Sequence, residues 1–184
     1  MSGKLEIIYG PVCSGKSSEL IRRIRLFKII NKKILVIKPK IDNRYNENKI
    51  TSHNLETFDC VNLEQLNEVN NINEYDCIVI DEGQFFPDLK NTIICWLDKY
   101  NVHILVAGLD GDFEKKPIGQ ILDLIPHAEK CHKVNSLCTL CNDGTEACFS
   151  YKKTASKNQI EIGGLDIYLP VCRKHYSQLI SCIE

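Results

Sequence analysis

Apolar and polar positions alternate with two different periods along roughly the first two thirds of the chain. Short apolar runs predict four strands, at residues 4–9, 34–37, 77–80 and 103–107. The run at 34–37 is apolar throughout, which is typical of a strand buried on both faces of a parallel sheet. Apolar residues three and four positions apart predict amphipathic helices over 17–30 and 89–100. The alternation of strand and helix predicts an α/β fold, with a parallel sheet flanked by helices.

The segments outside this pattern are more polar. Residues 39–57 contain several Asn and mixed charge and are interpreted as a long loop, whereas 63–69 are interpreted as a short helix. After about residue 133 the apolar periodicity weakens, and Cys, Lys, Asn and Gly dominate. We therefore expect two domains, residues 1–133 and a smaller one at residues 134–184.

Composition limits the classes of partner. The 184 residues carry 23 Lys and Arg against 24 Asp and Glu. The net charge of -1 argues against a protein that wraps long nucleic acid, because such binding requires many phosphates to be neutralised. No run approaches the roughly 18 apolar residues that span a bilayer, and the N-terminus lacks a secretory signal, so we expect a cytoplasmic protein without a membrane partner. Ten cysteines in such a chain favour buried thiols and a metal site over disulfides.

Residues 10–17, Gly-Pro-Val-Cys-Ser-Gly-Lys-Ser, fit the motif G-x-x-x-x-G-K-S/T. The glycines allow a tight turn whose backbone N–H groups face phosphate oxygens, the Lys16 ammonium reaches the β- and γ-phosphates, and the Ser17 hydroxyl is a ligand for Mg²⁺. A predicted strand precedes the motif and a predicted helix follows it, which is the context of a phosphate-binding loop (P-loop). The residues expected to bind the phosphates of ATP are Gly10, Pro11, Val12, Cys13, Ser14, Gly15, Lys16, Ser17 and Ser18.

A second charged motif follows the predicted strand at 77–80. Asp81 would lie at the carboxyl edge of the sheet, where α/β proteins bind ligands, and can hold Mg²⁺ directly or through water. Glu82 comes next, and a carboxylate at this position can take the proton of an acceptor hydroxyl or orient a water molecule for hydrolysis. The spacing alone leaves both roles of Glu82 open.

Two metal-chelating pairs lie in the region after residue 133. Cys138 and Cys141 form a C-x-x-C pair, and Cys172 and His175 form a C-x-x-H pair. Thiolate and imidazole ligands suit a tetrahedral Zn²⁺ ion, and because the protein fills all four positions the site is expected to be structural. Zinc would stabilise a domain that is too small for a large apolar core.

Residues 81–88, Asp-Glu-Gly-Gln-Phe-Phe-Pro-Asp, together with the P-loop and the chelating pairs, resemble the zinc-containing thymidine kinases of animal cytosol, bacteria and poxviruses. The resemblance runs through nearly the whole chain. It implies a P-loop NTPase-like parallel sheet flanked by helices and a small zinc-binding lasso domain. The lasso loop, residues 149–164, would close over the nucleoside and hold the base largely by main-chain hydrogen bonds. Val12 stands where the family usually has Met, and His175 where Cys is commoner, although imidazole is an equally competent zinc ligand.

The same resemblance implies roles for individual residues. Glu82 would deprotonate the 5′-hydroxyl of thymidine. Ser17 and Asp81 would hold Mg²⁺, and Arg44 would contact phosphate groups. Tyr168 would reach the sugar or the base. The rest of the nucleoside pocket is expected at Phe85, Leu109, Phe113, Leu124, Phe149, Ser150, Ile162, Gly163 and Gly164.

The function implied is transfer of the γ-phosphate of ATP to thymidine, which gives thymidine monophosphate (dTMP) for nucleotide salvage. The resemblance also implies a homotetramer and feedback inhibition by thymidine triphosphate (dTTP). Two alternatives remain open: a deoxynucleoside kinase with a broader preference, and a zinc-ribbon P-loop ATPase that acts with nucleic acid. Lysines 152, 153 and 157 are interpreted as a solvated loop surface.

Overall fold

A computed structural model of the chain describes residues 3–42, 49–51, 57–156 and 158–181. The strands are β1 (Lys4–Tyr9), β2 (Ile34–Pro39), β3 (Lys49–Thr51), β4 (Thr57–Asp59), β5 (Val61–Leu63), β6 (Cys77–Ile80), β7 (His103–Gly108), β8 (Lys130–Lys133), β9 (Ser136–Leu137), β10 (Glu146–Ala147), β11 (Phe149–Lys152) and β12 (Tyr168–Val171). The α-helices are α1 (Lys16–Ile29), α2 (Leu89–Lys99) and α3 (Arg173–Ser181). Segments of 3-10 helix lie at Leu66–Glu68, Ile72–Glu74, Gly83–Phe85 and Leu122–His127. No helix within these ranges is both long enough and apolar enough to cross a membrane.

The centre of the fold is a parallel sheet of six strands in the order β5-β2-β6-β7-β1-β8, counted over the described residues. Every residue of β6 is buried, and this strand lies between β2 and β7. Its central position explains why its sequence is apolar throughout, since both faces of the strand are covered. The predicted α/β fold with a parallel sheet flanked by helices is confirmed.

Helices α1 and α2 cover the two faces of the sheet. Leu20, Ile21 and Ile24 of α1 belong to one apolar cluster with side chains from β1, β2, β6 and β7. Ile93 and Trp96 of α2 belong to a second cluster, which contains the alternate side chains of the same strands. Both helices therefore bury the stripe that their three- and four-residue apolar spacing predicts.

Three neighbouring strands bring the sequence motifs to one edge of the sheet. Strands β6, β7 and β1 are adjacent and parallel, and their registers pair Ile80 with Val106 and Tyr9 with Gly108. The carboxyl ends of parallel strands meet at the same edge, which is where α/β proteins bind ligands. The loop after β1, the acidic residues after β6 and Leu109 after β7 therefore lie side by side.

The structure differs from the sequence-based prediction in the polar segments. Strand β8 lies at the edge of the sheet and is mostly exposed, so it has no apolar run that would identify it. The region 39–57, expected to be a loop, contains β3, which pairs with β4 in an antiparallel hairpin. The helix expected at 63–69 is the end of β5 followed by one 3-10 turn. Helix α3, which the sequence-based prediction did not include, has Tyr176, Leu179 and Ile180 at helical spacing, but Tyr176 is its buried residue.

Residues 134–181, here termed the Cys/His segment, form two short antiparallel ladders, β9 with β10 and β11 with β12, followed by α3. The buried residues of the apolar cluster in this segment are Cys138, Ala147, Val171, Cys172 and Tyr176. Hydrogen bonds join the segment to the sheet: the Val134 N–H donates to the Tyr9 carbonyl at 2.9 Å, and the Tyr176 hydroxyl donates to the Phe113 carbonyl at 2.6 Å. The segment thus packs beside the edge of the sheet that carries the motifs.

Candidate active site and metal centre

The glycine-rich loop of residues 10–17 connects β1 to α1, as the motif predicts. Gly10 lies against the Cys/His segment, because a side chain there would place its Cβ 2.0 Å from the carbonyl oxygen of Val134. The Val12 N–H donates to the hydroxyl of Ser150 at 3.0 Å, from the same segment. The loop is therefore held between the sheet and the Cys/His segment.

Lys16 supplies the positive charge of this loop. The residue is buried, with 8% of its surface exposed. Its ammonium donates to the carbonyl oxygens of Gly10 at 3.1 Å and Pro11 at 2.6 Å. Burial lowers the pKa of Lys16, and the negative charges of Glu82 and Asp81 oppose that effect. An ammonium held by neutral carbonyls can exchange them for phosphate oxygens, which form stronger, charge-assisted hydrogen bonds.

The Ser17 hydroxyl joins the loop to the acidic motif after β6. It donates to Oδ2 of Asp81 at 2.9 Å, and Asp81 is itself buried. Neighbouring oxygens in the octahedral shell of Mg²⁺ lie about 2.9 Å apart, given metal–oxygen distances of about 2.0–2.1 Å. The two residues expected to hold Mg²⁺ are therefore close enough to ligate one ion together.

Glu82 has an uncommon backbone conformation. Its φ of 49° and ψ of 43° lie in the left-handed region, which costs an L residue other than Gly roughly 1–2 kcal/mol. Non-glycine residues in this region are concentrated at functional sites. The Glu82 N–H donates to Oδ1 of Asp81 at 3.0 Å, and Oε2 of Glu82 accepts from the side-chain amide of Gln84 at 2.5 Å. One oxygen of the Glu82 carboxylate is thus held by the Gln84 amide.

One cavity joins these charged groups to an apolar wall. Residues 12–18, Asp81 and Glu82 line it. Most of the predicted nucleoside-pocket residues line it as well, namely Phe85, Leu109, Phe113, Ser150, Ile162, Gly163, Gly164 and Tyr168. A glycine-rich loop with a lysine, the carboxylates of Asp81 and Glu82, and aromatic side chains therefore share one space, an arrangement that could hold a phosphate donor beside a flat acceptor.

Some predicted site residues do not line this cavity. They are Gly10, Pro11, Leu124 and Phe149. The first two contact the Lys16 ammonium through their carbonyls. Leu124 is fully buried in the apolar cluster that contains α2, and Phe149 packs against Tyr176 with ring centroids 5.4 Å apart. Arg44 lies outside the described residues.

The cavity also contains residues to which the sequence analysis assigns no individual role, although three of them lie in the predicted lasso loop. They include Lys38, Asp42, Gln84, Gly111, Asp112, Gln159, Ile160 and Glu161. Lys38 is the second-last residue of β2 and Asp42 follows that strand, whose end lies beside the end of β6. These two residues could be assigned to the cavity only once the order of the strands in the sheet was known. Gln84 lies within the motif at 81–88, but no sequence pattern indicates what its side chain contacts.

A buried lysine anchors the chain beyond β11 at the cavity. Lys152 is 6% exposed, and its Nζ lies 2.6 Å from Oε2 of Glu161 and donates to the Asn158 carbonyl at 2.9 Å. The same ammonium lies 4.8 Å from the centre of the Phe113 ring. The interpretation of Lys152 as part of a solvated surface is therefore wrong, because the fold returns residues 158–161 over it. Lys157 lies outside the described residues.

Two further hydrogen bonds hold this part of the Cys/His segment in place. Nε2 of Gln159 donates to Oδ2 of Asp112 at 2.8 Å, and the Tyr168 hydroxyl donates to the Glu161 carbonyl at 2.9 Å. The hydrogen bond from Lys152 lowers the pKa of Glu161. Polar contacts, more than apolar burial, therefore hold residues 158–161 at the cavity.

The four predicted metal ligands converge within the Cys/His segment. The ligand atoms of Cys138, Cys141, Cys172 and His175 all lie within 4.8 Å of one another. Nδ1 of His175 is 3.3–3.5 Å from each of the three sulfur atoms, and the sulfurs of Cys141 and Cys172 are 3.7 Å apart. With Zn–S of about 2.3 Å and Zn–N of about 2.0–2.1 Å, a tetrahedral site requires about 3.8 Å between sulfurs and about 3.6 Å between sulfur and nitrogen. The cluster could therefore hold a metal such as zinc.

The environment of Cys138 favours metal binding. Burial alone raises the pKa of its thiol, but hydrogen bonds from the backbone amides of residues 172, 141 and 140 outweigh burial and lower the pKa. The amide of Cys172 lies 3.3 Å from the Cys138 sulfur. Because the thiolate is the form that ligates metal, amide dipoles aimed at the sulfur assist ligation.

Comparison with known proteins agrees with this geometry. The family model described as thymidine kinase matches residues 3–176. Thymidine kinase 1 of Dictyostelium discoideum is 41% identical over 185 residues, a match that covers 96% of this chain and 79% of the relative. The thymidine kinase of Variola virus is 41% identical over 176 residues, with 95% of this chain and 97% of the relative covered. Thymidine kinase a of Arabidopsis thaliana is 36% identical over 181 residues, with 95% and 75% covered. The chain therefore belongs to the thymidine kinase family.

Proposed function

We propose that this chain transfers the γ-phosphate of ATP to the 5′-hydroxyl of thymidine, with dTMP and ADP as products. The observation that carries the proposal is the position of Glu82, which shares one cavity with the Lys16 ammonium and the Ser17–Asp81 pair. A kinase needs a base for the acceptor beside a cation for the phosphates of the donor, and this cavity contains both. The names of the similar kinases support thymidine as the acceptor.

The donor would bind along the glycine-rich loop. Backbone N–H groups of residues 12–18, together with the Lys16 ammonium, would bind the β- and γ-phosphates of ATP. Ser17 and Asp81 would hold Mg²⁺, which when bound neutralises charge on the phosphates. Arg44 is proposed as a further phosphate contact on the family resemblance alone.

The acceptor would bind at the aromatic end of the cavity. Phe85 and Phe113 offer ring faces to a flat base, and Leu109 offers an apolar wall. Tyr168 would contact the sugar or the base, and the main chain of residues 158–164 would hydrogen-bond the edge of the base. Closure of this stretch over the nucleoside would exclude water from the γ-phosphate, which favours transfer over hydrolysis.

Transfer would proceed as a single displacement. The Glu82 carboxylate accepts the proton of the 5′-hydroxyl, whose oxygen forms the new bond to the γ-phosphorus. The bond from the γ-phosphorus to the bridging oxygen breaks, and ADP leaves with that electron pair. The Lys16 ammonium stabilises the negative charge that develops on the phosphates.

The division of the chain belongs to the same proposal. Residues 1–133 would form the P-loop nucleotide-binding domain, and residues 134–184 the lasso domain, with Zn²⁺ in a structural role. The convergence of four ligands in a segment with a small apolar cluster supports this division. The family resemblance extends the proposal to a cytoplasmic homotetramer that dTTP inhibits.

A panel of nucleosides with labelled ATP tests the substrate. We expect thymidine to be phosphorylated faster than deoxycytidine, and the rate to fall when dTTP is added. Thymidine turnover no faster than that of deoxycytidine would refute the substrate assignment. ATP hydrolysis that depends on DNA and not on thymidine would instead indicate a nucleic-acid-dependent ATPase, which no observation on this chain favours.

Substitution of Glu82 tests the role of the base. Glu82→Gln should lower kcat by about 10²-fold or more and leave ATP affinity largely intact, which is the usual effect of losing a positioned base. Glu114→Gln is the matched control, since Glu114 is exposed and pairs with Lys116 on the surface. Equal kcat for Glu82→Gln and the unmodified chain would remove Glu82 from this role.

A further inference from the structure

Gln84 is a buried polar residue that touches the proposed base. It lies in the 3-10 helix at Gly83–Phe85 and is 4% exposed. Its side-chain Nε2 donates to Oε2 of Glu82 at 2.5 Å, and its Oε1 accepts from the backbone N–H of Leu109 at 3.0 Å. One amide therefore bridges the residues that follow β6 and β7.

The orientation of this amide is determined by its partners. The Leu109 N–H can only donate, so the carbonyl oxygen of the Gln84 side chain must face it. The NH₂ group then faces Glu82, where a donor matches an ionised carboxylate. The carbonyl oxygen also lies so close to Gly108 that a Cβ at that position would be 2.4 Å from it. The absence of a side chain at residue 108 provides the space in which the Gln84 amide lies.

We infer that Gln84 is a positioning residue that holds the Glu82 carboxylate, in its ionised form, at the angle needed to take the acceptor proton. This inference rests on the proposed function. A hydrogen-bond donor stabilises the charged form of a carboxylate and counteracts burial. A charge-assisted bond to one oxygen also sets the rotation of the carboxyl group, and a general base works only within hydrogen-bond reach of its proton.

The bridge to Leu109 gives the same amide a second effect. Leu109 lines the cavity beside the proposed nucleoside site. Its N–H donates to the same Gln84 amide that holds the Glu82 carboxylate. Displacement of Gln84 would therefore move both the Glu82 carboxylate and Leu109 in the wall of the cavity. Loss of Gln84 should accordingly change kcat more than it changes the KM for ATP, because within the described residues the hydrogen bonds of this amide go to Glu82 and Leu109 and not to the glycine-rich loop.

Two substitutions of Gln84 test the inference through the pH dependence of kcat. Gln84→Met removes the donor, so the acid limb of the profile should move to higher pH and kcat should fall about tenfold or more, with the KM for ATP within about twofold. Gln84→Glu places two carboxyl groups side by side, which must share a proton. Activity should then decline at high pH, where both carboxyls ionise and repel each other. Lys16 interacts electrostatically with Glu82, Asp81 and Asp110, and the same cavity is lined by the charged residues Lys38, Asp42, Asp112 and Glu161. All of these groups are the same in every variant.

Gln120→Glu is the matched control. Gln120 makes the same two kinds of contact, since its Oε1 accepts from the Lys90 N–H at 2.8 Å and its Nε2 donates to the Pro87 carbonyl at 2.8 Å. No carboxylate takes part in these contacts, so its pH profile should match that of the unmodified chain. Should Gln84→Met not fold, Gln84→Asn carries the same comparison, because the shorter amide cannot bridge both partners.

The outcomes separate the inference from the proposed function. An unmodified chain that fails to phosphorylate thymidine refutes the proposed function. The unmodified chain could instead be active while the Gln84 variants keep pH profiles of unchanged shape, with kcat reduced only in proportion to the folded fraction. That result would show that Gln84 is merely structural and would overturn the inference. A shifted acid limb in Gln84→Met together with a new alkaline decline in Gln84→Glu supports it.

Discussion

The sheet region, taken as the described residues of 3–133, and the Cys/His segment are stabilised in different ways. In the sheet region two apolar clusters cover the two faces of the sheet, and the central strand β6 is buried along its whole length. In the Cys/His segment the single apolar cluster is small, and Cys138 and Cys172 belong both to it and to the set of metal ligands. We therefore expect burial to stabilise the first region, and a metal bound by the four Cys/His ligands to contribute much of the stability of the second.

This difference matters because the cavity is built from both regions. Strand ends of the sheet hold the charged groups Lys16, Asp81 and Glu82, whereas the Cys/His segment contributes residues 159–164 and Tyr168 to the wall. Under the proposed function, the groups for phosphate chemistry and the enclosure of the nucleoside therefore come from different regions. Four changes to the chain would break or sharpen this comparison.

Removal of metal should have the largest effect. Structural zinc contributes about 10–16 kcal/mol in small zinc-finger peptides, so a strong chelator or Cys138→Ser should unfold much of residues 134–181. Hydrogen exchange should show loss of protection there, while amides of β6 and β7 keep theirs. Cys131→Ser is the control, because Cys131 is an exposed cysteine of β8 outside the cluster. Equal loss of protection in β6 would contradict the separation of the two regions.

A cavity in the sheet region should have the next largest effect. Ile78 is fully buried in β6, and Ile78→Ala should lower the free energy of unfolding by about 2–5 kcal/mol through lost burial and the void left behind. The same exchange at Ile29, which is 75% exposed on α1, should change it by less than about 0.5 kcal/mol. Denaturant unfolding followed by circular dichroism measures both. Similar costs at the two positions would argue against burial as the main stabilising force of the sheet.

Loss of the Lys152 contacts should have a moderate effect, which should be confined to the KM for the nucleoside. Lys152→Met removes the contacts to Glu161 and Asn158 but keeps an apolar side chain beside Phe113. If residues 158–161 are ordered at the cavity in only about a tenth of the molecules, the KM for thymidine should rise about tenfold, with the KM for ATP unchanged. Exposed Lys153 is the control, and Lys153→Met should change either constant by less than about twofold. A larger change in the KM for ATP than for thymidine would oppose the assignment of this segment.

The smallest effect is expected on the surface of α1. Hydrogen bonds from Arg22, and then from Arg23, lower the pKa of Glu19 from 4.5 to about 2. A depressed carboxyl pKa adds stability that is present above about pH 4.5 and is lost as the pH falls toward about 2. Glu19→Gln should therefore lower Tm slightly at neutral pH, and its Tm should converge with that of the unmodified chain in this acid range. A difference in Tm that stays constant between pH 5 and about 2 would contradict this.

The elements that could be predicted from sequence are those whose buried side chains recur at the regular spacing of a strand or a helix. Strands β1, β2, β6 and β7 and helices α1 and α2 each place apolar residues against the sheet, so their pattern reports their environment directly. Edge strand β8 and helix α3 expose most of their residues, and their positions depend on contacts with distant parts of the chain. The polar sequence of β8 gives no strand signal, and the three apolar residues of α3 give only a short helical one, at Tyr176, Leu179 and Ile180.

The candidate site likewise contains residues that the sequence predicts and residues that only the fold brings together. The glycine-rich loop, Asp81 and the chelating pairs are recognisable because each chemistry requires fixed residue types at fixed spacing. Lys152 gave no such signal, since its partner Glu161 is nine residues away and meets it only when the chain turns back. Gln84 was visible as part of a motif, but its bridge to Leu109 depends on the adjacency of β6 and β7.

The left-handed turn at residue 82 has a consequence for how this chain would evolve under laboratory selection. Glycine adopts that conformation without steric conflict, so Glu82→Gly relieves a local conflict that the rest of the fold must offset. A library screened only for survival at high temperature would thus be expected to enrich glycine at this position. Under the proposed function the most heat-resistant clones would be inactive, because the substitution that relieves the backbone also removes the proposed base.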